Sequence, residues 1–255
     1  MRFASLGSGS RGNALVVEAG ATRLLLDCGF GPRETLSRLG RLGLAPKDLS
    51  GILVTHEHSD HVAGVFKMAS RHRLAVWMTH GTLVASSQGQ GALPGAELID
   101  SHRPFRIGNL EIHPFPVPHD AREPVQFVFS DGQCRLGVAT DLGSTTAHVE
   151  RMLSGCDALV LECNHDREML QQGNYPPQLK RRIAGGFGHL DNAAAAALLA
   201  TLDTGKLQHL IAAHLSQQNN TPDLARRALA RVVGCAERWV EVADQNFGFG
   251  WRELA

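Results

Sequence analysis

His56-x-His58-x-Asp60-His61 places four metal-ligating side chains within six residues, in a chain with 13 histidines among 255 residues. The segment follows Ile52-Leu53-Val54, a short apolar run with the composition of a fully buried strand. The cluster therefore sits where a strand runs out into a loop. Alternate side chains of such a loop aim at two places, His56 and His58 at one, Asp60 and His61 at another. Imidazole and carboxylate together suit zinc, manganese or iron. His119, Asp141 and His214 also end strands, in Val117-Pro118-His119-Asp120, Ala139-Thr140-Asp141-Leu142-Gly143 and His214-Leu215-Ser216. A carboxylate in the place of Asp141 can bridge two ions. His113 competes for a ligand position, but it precedes Pro114 inside a strand. His72, His80, His102, His148 and His209 lack ligand spacing.

Strands must hold these residues at one edge. Apolar and β-branched runs predict strands over 2–6, 14–18, 23–27, 52–54, 98–99, 110–115, 126–129, 135–139, 158–161, 207–213 and 239–242. Gly20-Ala21 and Asp131-Gly132 read as tight hairpin turns. Helical spacing predicts helices from Pro32 through Leu42 and over 61–72, 145–153, 192–202 and 222–232, with Asp191 capping the fourth. Strands followed by alternating helices and strands imply α/β architecture with mixed sheets under helices, in one domain over 1–255.

Composition narrows the function. Lys+Arg and Asp+Glu are both 25, so the formal charge is zero, which argues against a protein that coats nucleic acid. Ten Phe, three Trp and one Tyr argue against a broad base-stacking platform. The five cysteines are odd in number and lack C-x-x-C spacing, so a reducing cytoplasm is expected. The longest apolar run, 193–200, is too short to span a membrane, and no signal-peptide region opens the chain. Gly7-Ser8-Gly9-Ser10-Arg11-Gly12 matches a dinucleotide fingerprint formally, but a strand follows it instead of a helix. Its two serines and four amides are able to cradle a phosphate, and its plain reading is a glycine turn between two strands.

Thr55-His56-Glu57-His58-Ser59-Asp60-His61, preceded by Leu24-Leu25-Leu26-Asp27-Cys28-Gly29 and followed by His119, Asp141 and His214, resembles the metallo-β-lactamase superfamily along essentially the whole chain. The resemblance implies a four-layer αββα sandwich with two divalent ions at one edge, zinc or manganese, with iron also compatible. It implies that His56, His58 and His119 hold one ion, that Asp60, His61 and His214 hold the other, and that Asp141 bridges them. Asp27 matches the family's carboxylate behind the ligands, and Asp60 counts as catalytic through its ion.

Glu162 and His189 are similar to the extra glutamate and histidine of this fold's tRNA-processing nucleases, which handle the scissile phosphate and leaving group. Together with Ser8–Asn13, Tyr175-Pro176, Leu179–Ile183 and Glu162-Cys163-Asn164-His165-Asp166, they resemble the WalJ/YycJ group, described as 5′-to-3′ exodeoxyribonucleases. Cys163 and Asp191 depart from that group's usual alanine and serine. The resemblance implies hydrolysis of DNA phosphodiesters by a hydroxide shared between the ions, with a role in DNA repair. Ser8, Ser10, Asn13, His165, Ser216 and Asn219 are candidate substrate contacts, whereas Lys180-Arg181-Arg182 reads as a solvated helix face. Alternatives are a phosphodiesterase of small cyclic phosphates, a thioesterase of the glyoxalase II kind, and a binding module without catalysis. No membrane partner is expected, and a homodimer is left open.

Overall fold

The computed structural model describes residues 1–87, 93 and 95–255. In chain order the first half runs β1 (Arg2–Gly7), β2 (Ala14–Ala19), β3 (Thr22–Leu26), α1 (Pro32–Arg41), β4 (Gly51–Leu53), α2 (Ser59–Val62), α3 (Val65–His72), β5 (Ala75–Met78), α4 (His80–Ser86) and β6 (Ala96–Leu98). The second half runs β7 (Phe105–Ile107), β8 (Leu110–Pro116), β9 (Val125–Ser130), β10 (Arg135–Ala139), α5 (Ala147–Leu153), β11 (Ala158–Glu162), α6 (Arg167–Gln172), α7 (Pro177–Ile183), α8 (Asn192–Thr201), β12 (His209–Ala213), α9 (Pro222–Val233), β13 (Glu241–Val242) and β14 (Phe249–Glu253).

The strands form two seven-stranded sheets, ordered β14-β1-β2-β3-β4-β5-β6 and β13-β12-β11-β10-β9-β8-β7. Each sheet is antiparallel on one side and parallel on the other: β3, β4, β5 and β6 are parallel, as are β10, β11, β12 and β13. Period-two alternation creates the layers. Leu24 and Leu26 of β3 join Leu136 and Val138 of β10 in the core between the sheets. Leu25 turns to the opposite face, against Leu39 of α1 and Met68 of α3. Leu159 and Leu161 of β11 turn to α5, α8 and α9 through Leu153, Leu198 and Leu229. The result is the αββα sandwich.

Local chemistry sets the element ends. Asp131 Oδ1 accepts the Gln133 and Cys134 amides, closing the β9–β10 hairpin. Asp191 caps α8 by accepting the Ala194 amide at 2.8 Å. Thr221 caps α9, with Pro222 in its first turn and Gly234 left-handed after its end.

Several elements differ from the sequence expectation. The helix expected over 61–72 is two helices, because the chain at Gly64 presses on the Cys28–Phe30 loop. Gly64 N donates to Cys28 O at 2.8 Å, and a Cβ there would lie 2.1 Å from Phe30 O. The strand expected over 239–242 begins at Glu241, after a 3-10 turn at Glu237–Trp239, and it is not the last. β14 follows and returns to the first sheet beside β1. The described elements β5, α4, β7, α6 and β14 escape the sequence reading. They are short, and their pairing or packing with distant segments outweighs their own propensity.

Candidate metal centre

The carboxyl ends of β3, β4, β10, β11 and β12 meet at one edge of the sandwich, and every strong ligand candidate but His119 follows one of them. His119 comes from the loop between β8 and β9. Asp27, Asp141 and His214 sit at strand ends with φ of 59°, 56° and 56°. Non-glycine residues rarely enter this left-handed region, and such backbone persists where the surroundings enforce it. Here each residue's amide is pinned from another element: Asp27 N–H by Leu53 O at 2.7 Å, Asp141 N–H by Glu162 Oε1 at 3.0 Å, and His214 N–H by Ser8 Oγ at 2.9 Å. Gly29 lets the Asp60 loop approach, since a Cβ there would lie 1.7 Å from Asp60 O.

Two sets of donor atoms result. His56, His58 and His119 present ring nitrogens within 4.8 Å of one another, as do the donor atoms of Asp60, His61 and His214. Asp141 lies between the sets. Its Oδ1 is 3.4 Å from His214 Nδ1 and 3.9 Å from His119 Nε2, and its Oδ2 is 3.2 Å from His61 Nε2.

Hydrogen bonds behind the rings fix which nitrogen is free. Carboxylate and carbonyl oxygens only accept, so the ring atoms facing them carry the protons. His61 Nδ1 donates to Asp27 Oδ2 at 2.8 Å, His119 Nδ1 to Gly188 O at 3.0 Å, and His214 Nδ1 to Glu162 Oε1 at 2.9 Å. The Thr55 hydroxyl gives its one proton to Asp27, so it accepts from His56 Nδ1 at 3.0 Å. The Nε2 atoms of all four rings are thereby aimed forward, the arrangement metal ligands require.

The residues fit cations. His56 Nε2 is buried without a hydrogen-bond partner. His119 Nε2, whose lone pair is set by the Nδ1 bond to Gly188 O, faces His58 Nδ1 at 3.3 Å. The titration directions agree. Burial disfavours a protonated His61, but Asp141, Asp27 and Asp60 outweigh it and hold the ring well above its ordinary value. Burial is likewise outweighed at His214, mainly by Asp141, and its value rises to about 10. Asp60 is half-buried, and His61 and His214 outweigh its desolvation and hold it far below the usual carboxylate range. These buried anions demand positive charge, which protons supply in the metal-free protein.

Metal binding should therefore release protons. At pH 8, below the raised value of His214, titration of apoprotein with zinc is expected to release about two protons per chain if His61 and His214 are ligands. Apparent affinity should fall as pH falls. Calorimetry in two buffers of different ionisation enthalpy measures this, and a buffer-independent heat would rule it out.

Glu162 and His189 complete the site. Glu162 is fully buried and accepts the Asp141, Leu142 and Leu190 amides together with the Nδ1 protons of His189 and His214. Burial raises its value, but His189 and its other donors prevail and bring it down to about 2. Burial lowers His189, and Glu162 more than reverses this, so His189 lies above ordinary imidazole. Its ring sits between those of His119 and His214, with centroids 5.3 and 5.2 Å away.

In front lies a cavity of about 440 Å³ whose wall includes His189, Asp60 and Asp141. Ser10 and Ser216 also line it. Ser8, Asn13, His165 and Asn219 are buried behind the wall. Asn13 Nδ2 reaches Asp60 Oδ2 at 3.2 Å and His61 Nε2 at 3.1 Å. His165 Nδ1 lies 3.3 Å from Asn164 Oδ1, and Asn219 donates to Ser216 Oγ from both its nitrogens.

Tyr175, Leu179, Arg182 and Ile183, which the sequence singled out only for their resemblance and gave no site role, form part of the wall. Arg182 Nε donates to Asp120 Oδ2, beside His58 and His119, so part of the presumed solvated face belongs to the cavity. The available signal was Leu179, Arg182 and Ile183 at i, i+3 and i+4, one stripe of a helix.

The family description Beta-lactamase superfamily domain matches residues 22–215. Exodeoxyribonuclease YycJ of Bacillus anthracis is 37% identical over 252 residues, covering 98% of this chain and 92% of that protein. Exodeoxyribonuclease WalJ of Streptococcus pneumoniae is 30% identical over 246 residues, covering 94% and 91%. In fold, the crystal structure of zinc-bound PqqB from Methylobacterium extorquens superposes with a TM-score of 0.74 at 19% identity, covering 100% of both chains. With paired His/Asp donor sets at the sheet edge and this likeness along its length, the chain belongs to the metallo-β-lactamase superfamily and is a metal-dependent hydrolase.

Proposed function

We propose that the chain is a 5′-to-3′ exodeoxyribonuclease working with two divalent ions, zinc or manganese. The observation that carries this reading is His189, held by buried Glu162 between the two donor sets and on the wall of the cavity. Likeness to the YycJ and WalJ exodeoxyribonucleases supports DNA as the substrate.

His56, His58 and His119 would hold one ion, Asp60, His61 and His214 the other, with Asp141 shared. Bound there, divalent ions supply an acidified water and neutralise charge on a phosphoryl oxygen. The protein positions the rest. His189 keeps Nδ1 on Glu162 and offers Nε2 to the phosphate or the leaving oxygen, as a hydrogen-bond donor and proton source. Ser10 and Ser216 offer hydroxyls to phosphate oxygens. Ser8, Asn13 and Asn219 act one layer back: Ser8 pins the His214 backbone, Asn13 steadies Asp60, and Asn219 steadies Ser216. His165 packs behind Asn164, whose Nδ2 donates to His214 O at 3.0 Å.

A second reading, a phosphodiesterase of small diesters, draws on zero net charge and on the carboxylates of Asp60, Asp120 and Asp141 in the cavity wall. A manganese-supplemented time course on linear DNA labelled at its 5′ end, beside bis-p-nitrophenyl phosphate, separates the two. The expected result is labelled mononucleotide, absent with Asp60→Ala, and a steep rise of KM with salt on DNA alone. Intact DNA with brisk cleavage of the small diester would favour the second reading.

A further inference from the structure

Among the described residues, the two most exposed large apolar side chains are both phenylalanines, Phe187 at 65% and Phe247 at 72%. Both lie on loops tied to the cavity. Phe187 precedes the cavity residue Gly188, and its carbonyl accepts the amide of Asp120, on the His58–His119 side. Phe247 belongs to the loop before β14, which is bound to the Gly7–Asn13 loop on the Asp60–His214 side. Buried Gln245 accepts the Arg11 amide on Oε1 at 2.8 Å and donates from Nε2 to Gly12 O at 3.0 Å. Arg11 follows the cavity residue Ser10.

Phe247 is held in water by a built loop. Asp244 Oδ1 accepts the amides of Asn246 and Phe247, so that carboxylate is occupied by its own turn. Arg11 Nη2 donates to Asn246 Oδ1 at 3.3 Å, and Arg41 Nη1 donates to Asn246 O at 3.1 Å. The Arg41 guanidinium lies 5.7 Å from the Phe247 ring centre. Glu34, the acid on α1 nearby, is engaged by Arg38 at 2.7 Å. Beside Phe247 a concavity of about 260 Å³ is bounded by Arg38, Arg41 and Phe249. An exposed ring beside two exposed arginines, linked to the cavity by Arg11 next to Ser10, combines a stacking surface with phosphate-binding charge.

We propose that Arg11, Arg41 and Phe247 form a track for the uncleaved part of a single DNA strand, with a base on Phe247 and phosphates on the arginines. This rests on the nuclease reading above. It predicts a dependence on substrate length that the catalytic residues do not create.

The test measures the metal-loaded enzyme on a single-stranded 20-mer, on a dinucleotide and on bis-p-nitrophenyl phosphate. Phe247→Ala should raise KM for the 20-mer about tenfold, and Phe247→Trp should restore it. Arg11→Ala should reduce the slope of log KM against log salt by about 0.7. Neither should alter the two short substrates, which also reports intact folding. If wild type cleaves the 20-mer and neither variant changes its KM or salt slope, the track is refuted and the nuclease reading survives. An equal loss on the dinucleotide refutes it too, as does a wild-type dimer that Phe247→Ala splits with no change on DNA, which would make the patch a contact with a second copy. If wild type leaves the 20-mer intact, both readings fall together.

Discussion

Asp141→Asn will reduce hydrolysis by about 10³-fold or more and lower the bound metal per chain. The carboxylate is fully buried and faces both donor sets, through Oδ1 toward His214 and His119 and Oδ2 toward His61. Asparagine has nearly the same shape and tolerates the left-handed backbone at this position, whereas alanine adds strain. The substitution therefore isolates charge and ligation. His61 and His214 lose the anion that most opposes their desolvation, so the metal-free variant binds fewer protons at its centre. Metal content, turnover and thermal unfolding with and without manganese check the outcome. Wild-type turnover with full metal content would show that Asp141 is no ligand and would end the dinuclear reading.

Much of this was legible in the residue order because the site uses strand ends. A run such as Leu24-Leu25-Leu26 must alternate between two apolar environments, and here it does so between the intersheet core and the α1–α3 layer. The polar residue that ends such a run is then delivered to the sheet edge. His56, Asp141 and His214 are found this way, whereas Asp27 and Glu162, also at strand ends, were picked out by family resemblance. The layer behind them was not legible. Ser8 and Asn13 lie in a glycine-rich loop that looks made for phosphate, yet their hydrogen bonds go to His214, Asp60 and His61. Nothing local distinguishes a hydroxyl facing ligand from one facing protein; the partner sits up to 206 residues away. Arg182 failed for a related reason. A basic triplet on a helix defaults to solvent, and only the position of Asp120 turns one of its members toward the centre. β14 shows the same limit at the level of the fold, since its partner is the first strand of the chain.

Glu162→Gln should lower kcat about 100-fold and destabilise the fold by about 2–5 kcal/mol, although the side chain touches no substrate. Oε1 accepts three donors and Oε2 accepts two. Glutamine keeps one acceptor and points its NH₂ at N–H groups on the other side, so at least two buried donors lose their partner. The depressed carboxyl adds a pH signature. Its folded value of about 2 lies below the ordinary 4.5, so its charge stabilises the fold above 4.5 and that contribution fades as pH falls toward 2. The stability gap between wild type and Glu162→Gln should close over that same window. The chemical effect runs through His189. Without the glutamate charge, burial is left to lower the imidazole, so the alkaline limb of kcat moves to lower pH. His189→Asn supplies the contrast: a comparable or larger loss of kcat with metal content unchanged and no alkaline limb from this group. Were Glu162→Gln to keep the wild-type alkaline limb while losing stability, Glu162 would be a structural anchor for the strand-end amides, and the proton source would lie elsewhere in the cavity.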